Sequence, residues 1–259
     1  MFRIMWVYLN AGWYVIRHLF VIKKKINYPD DYTIDEKFEE VRELNKIIVE
    51  TSGLDIMIEG KENLKNEPVL YVANHASMFD PYILGNSIDK QLGAVIAGDE
   101  WYQKIPIISN WFKLIGSVYL NRKNTREGIK AIKEAATNIK NGHSILVFPE
   151  GEITQYITNE SVGVFKGGSF KIATKANVPI IPIAMIGTDE VYKSRGIFGR
   201  LYKHRVVVKI LEPYTKHLNK TIKTSDIAND IRQEIMYEVE KNSAILKAEN
   251  ETIYTKAAN

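Results

Sequence analysis

The sequence predicts an α/β protein, with a mixed, largely parallel twisted sheet flanked by helices and an N-terminal appendage of two helices. Short, continuous apolar runs such as 69–73 and 144–148 are typical of strands buried on both faces of a sheet. Segments with helical periodicity separate these runs, which is the pattern of βαβ units. The first 22 residues differ from the rest, because they are apolar and aromatic and carry few charges.

The composition narrows the classes of function. A chain of 259 residues suits one large domain with an appendage. The absence of cysteine excludes a thiol nucleophile, a thiolate metal site and any disulfide. The net charge of +4 is mildly basic, and no nucleic-acid-binding signature is present. We therefore expect an anionic substrate or an anionic membrane surface as partner, and no nucleic acid.

The first segment predicts a helix that lies in a membrane interface. Its uncharged stretch of 13 residues, 4–16, is short for a membrane span, which needs about 20 apolar residues. Polar residues recur every seven positions and would form one narrow stripe on a helix: Arg3, Asn10, Arg17 and Lys24. The basic cluster 23–25 could reach lipid headgroups. The alternative is a core helix that buries its aromatic side chains.

This segment predicts where the protein resides. Membrane contact through residues 1–25 would place it on the cytoplasmic face of the cell membrane, as a peripheral or monotopic protein. A second helix follows the break at 29–31. Thr33 and Glu36 form a capping box, and an amphipathic pattern continues to Ser52-Gly53. We expect this helix to pair with the first, with its charges on a solvated face. The predicted division is a helical membrane-associating segment, 1–53, and an α/β domain, 54–259.

The remaining elements alternate between strands and helices. Strands are predicted at 54–58, 69–73, 93–97, 116–122, 144–148, 178–185 and 206–211. Two prolines in 178–185 suggest an edge strand or an irregular position. Helices are predicted after Asp80-Pro81, at 127–140, in a segment that ends at Ala176, and at 225–246. In the helix at 127–140, Ile129 is expected on the buried side. The aromatic segment 101–115 indicates core packing or a groove for a long apolar ligand, with core favoured slightly.

The candidate site begins where the strand 69–73 ends, in Asn74-His75. Open α/β sheets bind ligands at the carboxyl ends of their strands. Asp80 follows five residues after His75, a spacing that would point the two side chains about 140° apart in a helix. A loop must therefore carry part of this stretch if they are to meet. If they meet, the carboxylate fixes the imidazole tautomer, and His75 becomes a candidate general base.

Polar residues follow other strands as well. Asn121-Arg122 and Glu150-Gly151 end two of the predicted strands, and Lys166 comes shortly after the second. Arginine and lysine side chains are good phosphate ligands. A Walker loop is absent, and one histidine with scattered carboxylates makes a poor transition-metal site, so we expect no bound metal.

Four blocks of sequence resemble the glycerolipid acyltransferases. Asn74-His75 with Asp80 is similar to the first motif of that family, Asn-His-x-x-x-x-Asp. The other three follow in family order over about residues 54–215: Gly116–Arg122, Phe148-Pro149-Glu150-Gly151 and Val178–Ile183. A single His-x-x-x-x-Asp is weak support, whereas four ordered blocks at strand ends are specific.

The resemblance implies a reaction and a set of roles. A fatty acyl group moves from a thioester of acyl carrier protein or coenzyme A to the free hydroxyl of a lysophospholipid such as 1-acyl-glycerol-3-phosphate. His75 and Asp80 would be catalytic, and no cofactor is permanently bound. The implied substrate-binding residues are Asn74, Asn121, Arg122, Glu150, Gly151 and Lys166. Acyl carrier protein is a candidate partner.

One departure from the family pattern bears on the acceptor. The third block of the family usually continues Glu-Gly-Thr-Arg-Ser, whereas this chain has Ile153 where arginine is usual and an additional acid, Glu152. A different lysophospholipid acceptor thus stays open. Two further alternatives are a non-catalytic lipid-binding protein of the same fold and a serine hydrolase that uses Ser77. Ser77 lacks the Gly-x-Ser-x-Gly elbow, so we expect it to stabilise the turn after His75.

Overall fold

The structure is a computed structural model of the chain. It describes residues 2–88, 92–97, 101–121, 124–156, 158, 160–193 and 199–255.

The centre of the protein is a seven-stranded sheet, with a separate two-stranded hairpin, among the described residues. The strands are β1 (Asp55–Glu59), β2 (Leu70–Ala73), β3 (Leu92–Ala97), β4 (Val118–Leu120), β5 (Ser144–Val147), β6 (Ile180–Ile186), β7 (Tyr192–Lys193), β8 (Arg200–Leu201) and β9 (Arg205–Ile210). The order in the main sheet is β1-β9-β6-β2-β5-β3-β4, and β7 pairs with β8. The strands from β6 to β4 are parallel, and β9 runs antiparallel to β6. The predicted mixed, largely parallel sheet is confirmed.

Helices cover both faces of the sheet. In the described residues they are α1 (Phe2–Asn27), α2 (Ile34–Ser52), α3 (Asp80–Ser87), α4 (Pro106–Leu114), α5 (Thr125–Lys140), α6 (Lys171–Ala176), α7 (Lys216–Asn219) and α8 (Thr224–Asn250). Residues of β2 alternate between the faces, since Val72 packs with α5, α6 and α8 and Tyr71 packs with α1, α2 and α3. The side chains on each face of β2 therefore belong to a different hydrophobic core.

The position of β6 corrects one expectation from the sequence. Its prolines do not mark an edge strand, because β6 lies between β2 and β9. The alternative of an irregular position is correct. The register with β9 shifts by one residue between the Ile180–Tyr214 bridge and the Ile183–Ile210 pair. Pro182 lies within this shift, and its carbonyl accepts from the Leu211 N–H at 2.9 Å. A missing proline N–H is tolerated where the ladder is already interrupted.

The first two helices form a hairpin, as predicted. The Thr33 and Glu36 side chains each bond the backbone N–H of the other, which confirms the capping box. At the far end, Gly53 takes a left-handed φ of 71° and closes α2. Phe38 and Ile48 of α2 join the core over β2, so the hairpin packs directly on the sheet.

The outer surface of α1 carries an exposed apolar stripe. With about 100° per residue, seven large apolar side chains fall within an arc of about 100°. They are Phe2, Met5, Trp6, Leu9, Trp13, Ile16 and Phe20, all exposed. The buried residues Ile4, Val7 and Ile22 lie on the opposite side. The alternative of a core helix that buries these aromatics is therefore wrong. Within the described part of the chain, no helix has the length and apolar character that a membrane crossing requires.

Two buried charged residues correct two expectations for this hairpin. Glu40 was expected on the solvated face of α2, and Lys25 was expected to reach lipid headgroups with Lys23 and Lys24. Lys25 of α1 and Glu40 of α2 are both buried, and the Lys25 Nζ lies 2.8 Å from Glu40 Oε2. Lys25 also donates to the carbonyl of Glu36. A buried charge needs a partner of opposite sign, which the adjacent helix supplies. The exposed lysines of the predicted cluster are therefore Lys23 and Lys24.

The elements on the other face of the sheet follow the prediction with one exception. Ile129 of α5 is 61% exposed, although the helical pattern placed it on the buried side. The buried residues of α5 are Ala131, Ala135, Ala136 and Ile139. Ala136 and Ile139 belong to the predicted face, whereas Ala131 and Ala135 are buried in place of Ile129.

The Lys25–Glu40 pair generates a test of the helical hairpin. Replacing Lys25 by Ala leaves a buried carboxylate without its partner, and we expect the free energy of unfolding to fall by about 3–5 kcal/mol. The double variant Lys25→Met, Glu40→Leu should recover most of this loss. Urea denaturation in detergent measures both. Lys24→Ala is the matched control on the exposed face, and an equal loss in Lys24→Ala would show that the pair does not stabilise the hairpin.

Candidate active site

The site is built at the carboxyl edge of the parallel strands. β2 lies between β6 and β5 in the sheet, so the segments that follow these three strands lie side by side. His75 follows β2, and Phe148 and Glu150 follow β5. β6 pairs in parallel with β2 and antiparallel with β9. α/β proteins place their ligands at the carboxyl edge of the parallel strands, which is the edge that carries His75.

His75 and Asp80 meet, and a loop brings them together. Residues 74–79 precede α3, which begins at Asp80 itself. The Nδ1 atom of His75 lies 2.9 Å from Asp80 Oδ2. The same carboxylate oxygen accepts the backbone N–H groups of Ala76 at 2.7 Å and Ser77 at 2.8 Å. Asp80 is fully buried, so this charge is held by three donors away from solvent.

These contacts assign the tautomer of His75. An ionised carboxylate only accepts hydrogen bonds, so Nδ1 of the neutral ring must carry the hydrogen. The lone pair then lies on Nε2, the nitrogen on the far side of the ring. The His75 side chain is 18% exposed, whereas the Asp80 side chain is 0% exposed. The arrangement can take up a proton at Nε2 and stabilise the resulting imidazolium through Asp80.

The ring of His75 is also held by an aromatic neighbour. Phe148 stacks on it with centroids 4.2 Å apart and planes 20° from parallel. Phe148 is the residue directly after β5, so the sheet itself fixes its position. The imidazole is therefore limited on one face by Phe148 and at Nδ1 by Asp80. Few orientations other than the observed one are open to it.

The backbone of His75 is held by the segment that follows β5. Its N–H donates to Glu150 Oε1 at 3.0 Å. Its carbonyl accepts the Thr154 backbone N–H at 2.7 Å and the Thr154 hydroxyl at 3.0 Å. One residue further on, the Ala76 carbonyl accepts from the Gln155 side chain at 3.1 Å. The main chain of His75 is thus attached to the segment that begins with the third sequence block.

The structure places Asn74 and Glu150 away from open space, unlike a substrate contact. Asn74 is 1% exposed, and its amide both donates to the Met185 carbonyl at 3.0 Å and accepts the Met185 N–H at 2.8 Å. This pair joins the end of β2 to β6. Glu150 is also 1% exposed, and its carboxyl bonds His75 and Thr154. Both side chains are used by the protein, so the geometry gives them a positioning role.

The other predicted binding residues lie at different distances from His75. Gly151 has a left-handed φ of 84°, which favours glycine there. The Lys166 N–H donates to the Pro149 carbonyl at 3.0 Å, and the Lys166 side chain is exposed. Asn121 follows β4, three strands from β2, or about 14 Å away at the usual strand spacing, and donates to Glu127 at 2.8 Å. Arg122 lies outside the described residues.

The positions of the described side chains do not favour a serine nucleophile at Ser77 or a metal site. Ser77 is 1% exposed, and its hydroxyl oxygen accepts the Phe79 N–H at 3.3 Å, as expected of a turn-stabilising residue and not of a nucleophile. Among the residues that the structure describes, no group of three His, Asp or Glu side chains could hold a metal ion.

Several residues that hold His75 are not predicted from the sequence. Phe148 belongs to the third block, but its stacking on the imidazole is not visible in the motif. Thr154 and Gln155 carry a weak signal, since Thr154 follows Glu150 by only four residues. Arg232 of α8 donates to the carbonyl of Gly163, whose N–H faces Glu150, at 2.8 Å. The sequence gives no sign of this contact, because Arg232 lies 82 residues beyond Glu150.

Comparison with known proteins defines the class. A family model described as Acyltransferase matches residues 55–186. The chain belongs to this acyltransferase family. The match includes β1 to β6 and therefore the whole loop from Asn74 to Asp80.

Particular relatives narrow the class further. The chain is 28% identical over 232 residues to a probable 1-acyl-sn-glycerol-3-phosphate acyltransferase of Mycoplasma pneumoniae, with 85% of each chain covered. It is 30% identical over 228 residues to a probable enzyme of the same name from Mycoplasma genitalium, with 83% and 81% covered. Among solved structures, the 1-acyl-sn-glycerophosphate (LPA) acyltransferase PlsC of Thermotoga maritima has a similar fold, with a TM-score of 0.74, 23% identity, and 92% and 95% of the two chains covered.

Proposed function

We propose that this protein is a 1-acyl-glycerol-3-phosphate acyltransferase, which transfers a fatty acyl group from a thioester to the free hydroxyl of the lysolipid and yields phosphatidic acid. The observation that supports it most is the His75–Asp80 pair, 2.9 Å apart at the carboxyl edge of the sheet. Membership of the acyltransferase family and relatives named for this reaction support the same function.

In this mechanism His75 is the general base. Its Nε2 takes the proton of the acceptor hydroxyl while Asp80 stabilises the imidazolium that forms. The lipid oxygen attacks the thioester carbonyl carbon, and a new C–O bond forms. The C–S bond then breaks, and the thiolate takes the proton from the imidazolium, so that no acyl-enzyme is formed. General-base assistance contributes about a hundred- to ten-thousand-fold.

The acceptor phosphate requires a cation near this edge. Lys166 is exposed and is tied through its N–H to Pro149, directly beside the end of β5. We assign phosphate binding to Lys166 together with Arg122, and contacts at the rim of the site to Asn121 and Gly151. Ile153 carries no charge, and its side chain is 9% exposed and packs inward. The acceptor is then held by fewer cations than the family pattern implies, which leaves other lysolipids as candidate acceptors.

The acyl donor is a thioester of acyl carrier protein or coenzyme A, and both fit this chemistry. The donor brings its own activated carbonyl, so the protein needs to supply only position and a base. No cofactor takes part in the proposed reaction. The overall positive charge of +4 suits both donors, since coenzyme A carries phosphates and a carrier protein with an acidic surface would be attracted.

We propose that the α1 stripe binds a membrane surface and that residues 1–53 are the membrane-associating segment, with 54–259 as the acyltransferase domain. Aromatic and apolar side chains on one face with lysines at the end are typical of interfacial helices. Helix α1 also contacts the part of the protein that carries the site. Tyr8 of α1, which lies outside the stripe, bonds Tyr192, and the ring centroids of Tyr192 and Phe79, the residue before Asp80, are 5.7 Å apart. We place the membrane contact at the cytoplasmic face of the cell membrane.

The reaction itself is tested with purified protein and a panel of lysolipid acceptors. With 1-acyl-glycerol-3-phosphate and a labelled acyl thioester we expect labelled phosphatidic acid. His75→Ala should lower turnover by about a hundred- to ten-thousand-fold with its unfolding curve unchanged. Ser77→Ala is the control for the hydrolase alternative, and it should still transfer the acyl group. Near-normal turnover in folded His75→Ala would remove His75 as the base, and no thioester consumption with any acceptor would favour the non-catalytic lipid-binding protein.

The membrane surface is tested by flotation with vesicles of phosphatidylcholine and phosphatidylglycerol. The triple variant Trp6→Ser, Trp13→Ser, Phe20→Ser removes three large side chains of the stripe, and we expect at least about a tenfold weaker partitioning because each buried aromatic contributes about 1.5–3 kcal/mol. The matched control replaces three residues of similar exposure on other helices, Ile129, Tyr237 and Ile245, by serine. Equal flotation of the two variants would place membrane contact elsewhere.

A further inference from the structure

The carboxyl group of Glu150 is enclosed directly beneath the main chain of His75. Its Oε1 accepts the His75 N–H at 3.0 Å, and its Oε2 contacts the Thr154 hydroxyl. The backbone N–H of Gly163 also faces this carboxyl. Gly163 packs so closely that a Cβ atom there would lie 2.8 Å from Glu150 Oε2. Glu150 is therefore 1% exposed, and its carboxyl is bonded to three protein groups, those of His75, Thr154 and Gly163.

The hydrogens of this cluster can be counted. The Thr154 hydroxyl lies 3.0 Å from the His75 carbonyl oxygen and also contacts Glu150 Oε2. A hydroxyl has one hydrogen, and a carbonyl oxygen only accepts. When the Thr154 hydrogen points at His75, the contact with Glu150 is a hydrogen bond only if Oε2 carries a hydrogen. A protonated Glu150 completes an ordered chain in which Glu150 donates to Thr154 and Thr154 donates to His75.

Burial and one of the two neighbouring charges disfavour the ionised form of Glu150. Asp80 is the neighbouring carboxylate, and its charge opposes a second one. The cation that faces the cluster from α8 is Arg232. Its guanidinium donates to the Gly163 and Val162 carbonyls at 2.8 Å and 2.7 Å and pairs with Glu160. No described ion pair involves Glu150. Burial raises the pKa of Glu150 to about 7, and the hydrogen bonds from His75 and Gly163 and the charge of Arg232 lower it less.

We propose that Glu150 works as a neutral carboxylic acid that positions His75, and that ionisation of Glu150 removes one of the hydrogen bonds that fix the main chain of His75. The consequence for turnover rests on the proposed acyl transfer by His75. When Glu150 loses its proton, the hydrogen of Thr154 turns to the carboxylate, and the His75 carbonyl keeps only the Thr154 backbone N–H. A second negative charge also joins Asp80 in the buried site. Both changes disturb the geometry on which the base depends.

The direction of the pH effect follows from the raised pKa. A carboxyl whose pKa is higher in the folded protein contributes stability that is fully present below its unfolded value, and this contribution is lost as the pH rises through about 7. The positioning of His75 by neutral Glu150 is therefore present in mildly acidic solution and lost in alkaline solution. This direction is opposite to the effect of deprotonating a general base, which raises activity with pH.

Three full-length variants test this proposal. Glu150→Gln keeps the acceptor toward His75 and a donor toward Thr154 but cannot ionise, whereas Glu150→Ala removes both contacts. Glu152→Gln removes the same charge from an exposed position in the same segment. kcat and KM are measured between about pH 6 and about pH 9. The infrared difference spectrum of wild type minus Glu150→Gln reports the protonated carboxyl of Glu150 without any substrate.

We expect Glu150→Gln to keep most of the wild-type kcat near pH 6. Above pH 7, the ratio of the Glu150→Gln kcat to the wild-type kcat should rise by up to about tenfold per pH unit. Glu150→Ala should lose kcat at every pH with little change in KM, and Glu152→Gln should follow the wild type. The protonated carboxyl band should disappear as the pH rises through about 7. A Glu150→Gln to wild-type ratio independent of pH, a rise in KM alone, or no protonated band near pH 6 would overturn the proposal. Because the band needs no turnover, it separates this outcome from a failure of the proposed reaction.

Discussion

One oxygen of Asp80 organises the loop on which the candidate active site depends. It accepts the imidazole N–H of His75 and the backbone N–H groups of Ala76 and Ser77. Because Asp80 is also the first residue of α3, its charge lies at a helix N-terminus, where the helix dipole favours it. Burying a carboxylate without donors is costly, and these three donors to Oδ2 offset part of that cost, while Oδ1 is buried without a hydrogen-bond partner. The bonds to Oδ2 fix both the turn and the tautomer of His75.

The first and third sequence blocks form one structural unit. Asp80 holds the ring of His75, while Glu150 and Thr154 hold its main chain from the next strand. The departure from the family pattern, Glu152-Ile153, lies between these two residues and leaves both of them in place. The contacts that hold His75 are therefore intact where the sequence is unusual. In the proposed reaction, this departure affects the recognition of the acceptor and leaves the position of the proposed base unchanged.

Much of the fold and the central pair of the site could be predicted from the sequence. Apolar runs that end in polar pairs predict where the strands of the main sheet lie along the chain and the edge at which His75 lies, since strand periodicity is local. The order of the strands in the sheet depends on distant residues and was not predicted. The direction of a side chain that follows a strand is not local. Asn74 and Glu150 turn inward because β6 and the segment around Thr154 offer partners, and neither neighbour is visible in their own motifs. Lys25 turns inward for the same reason, because Glu40 is on the next helix.

In the proposed reaction, the charge of Asp80 makes His75 a base for a lipid hydroxyl. The kcat and KM of Asp80→Asn with 1-acyl-glycerol-3-phosphate as acceptor measure this dependence. The amide oxygen can still accept from His75, Ala76 and Ser77, so the loop is retained while the negative charge is lost. We expect a folded protein whose kcat falls at least about a hundredfold with little change in KM for the lipid. A folded Asp80→Asn protein with near-wild-type kcat would contradict the role of Asp80.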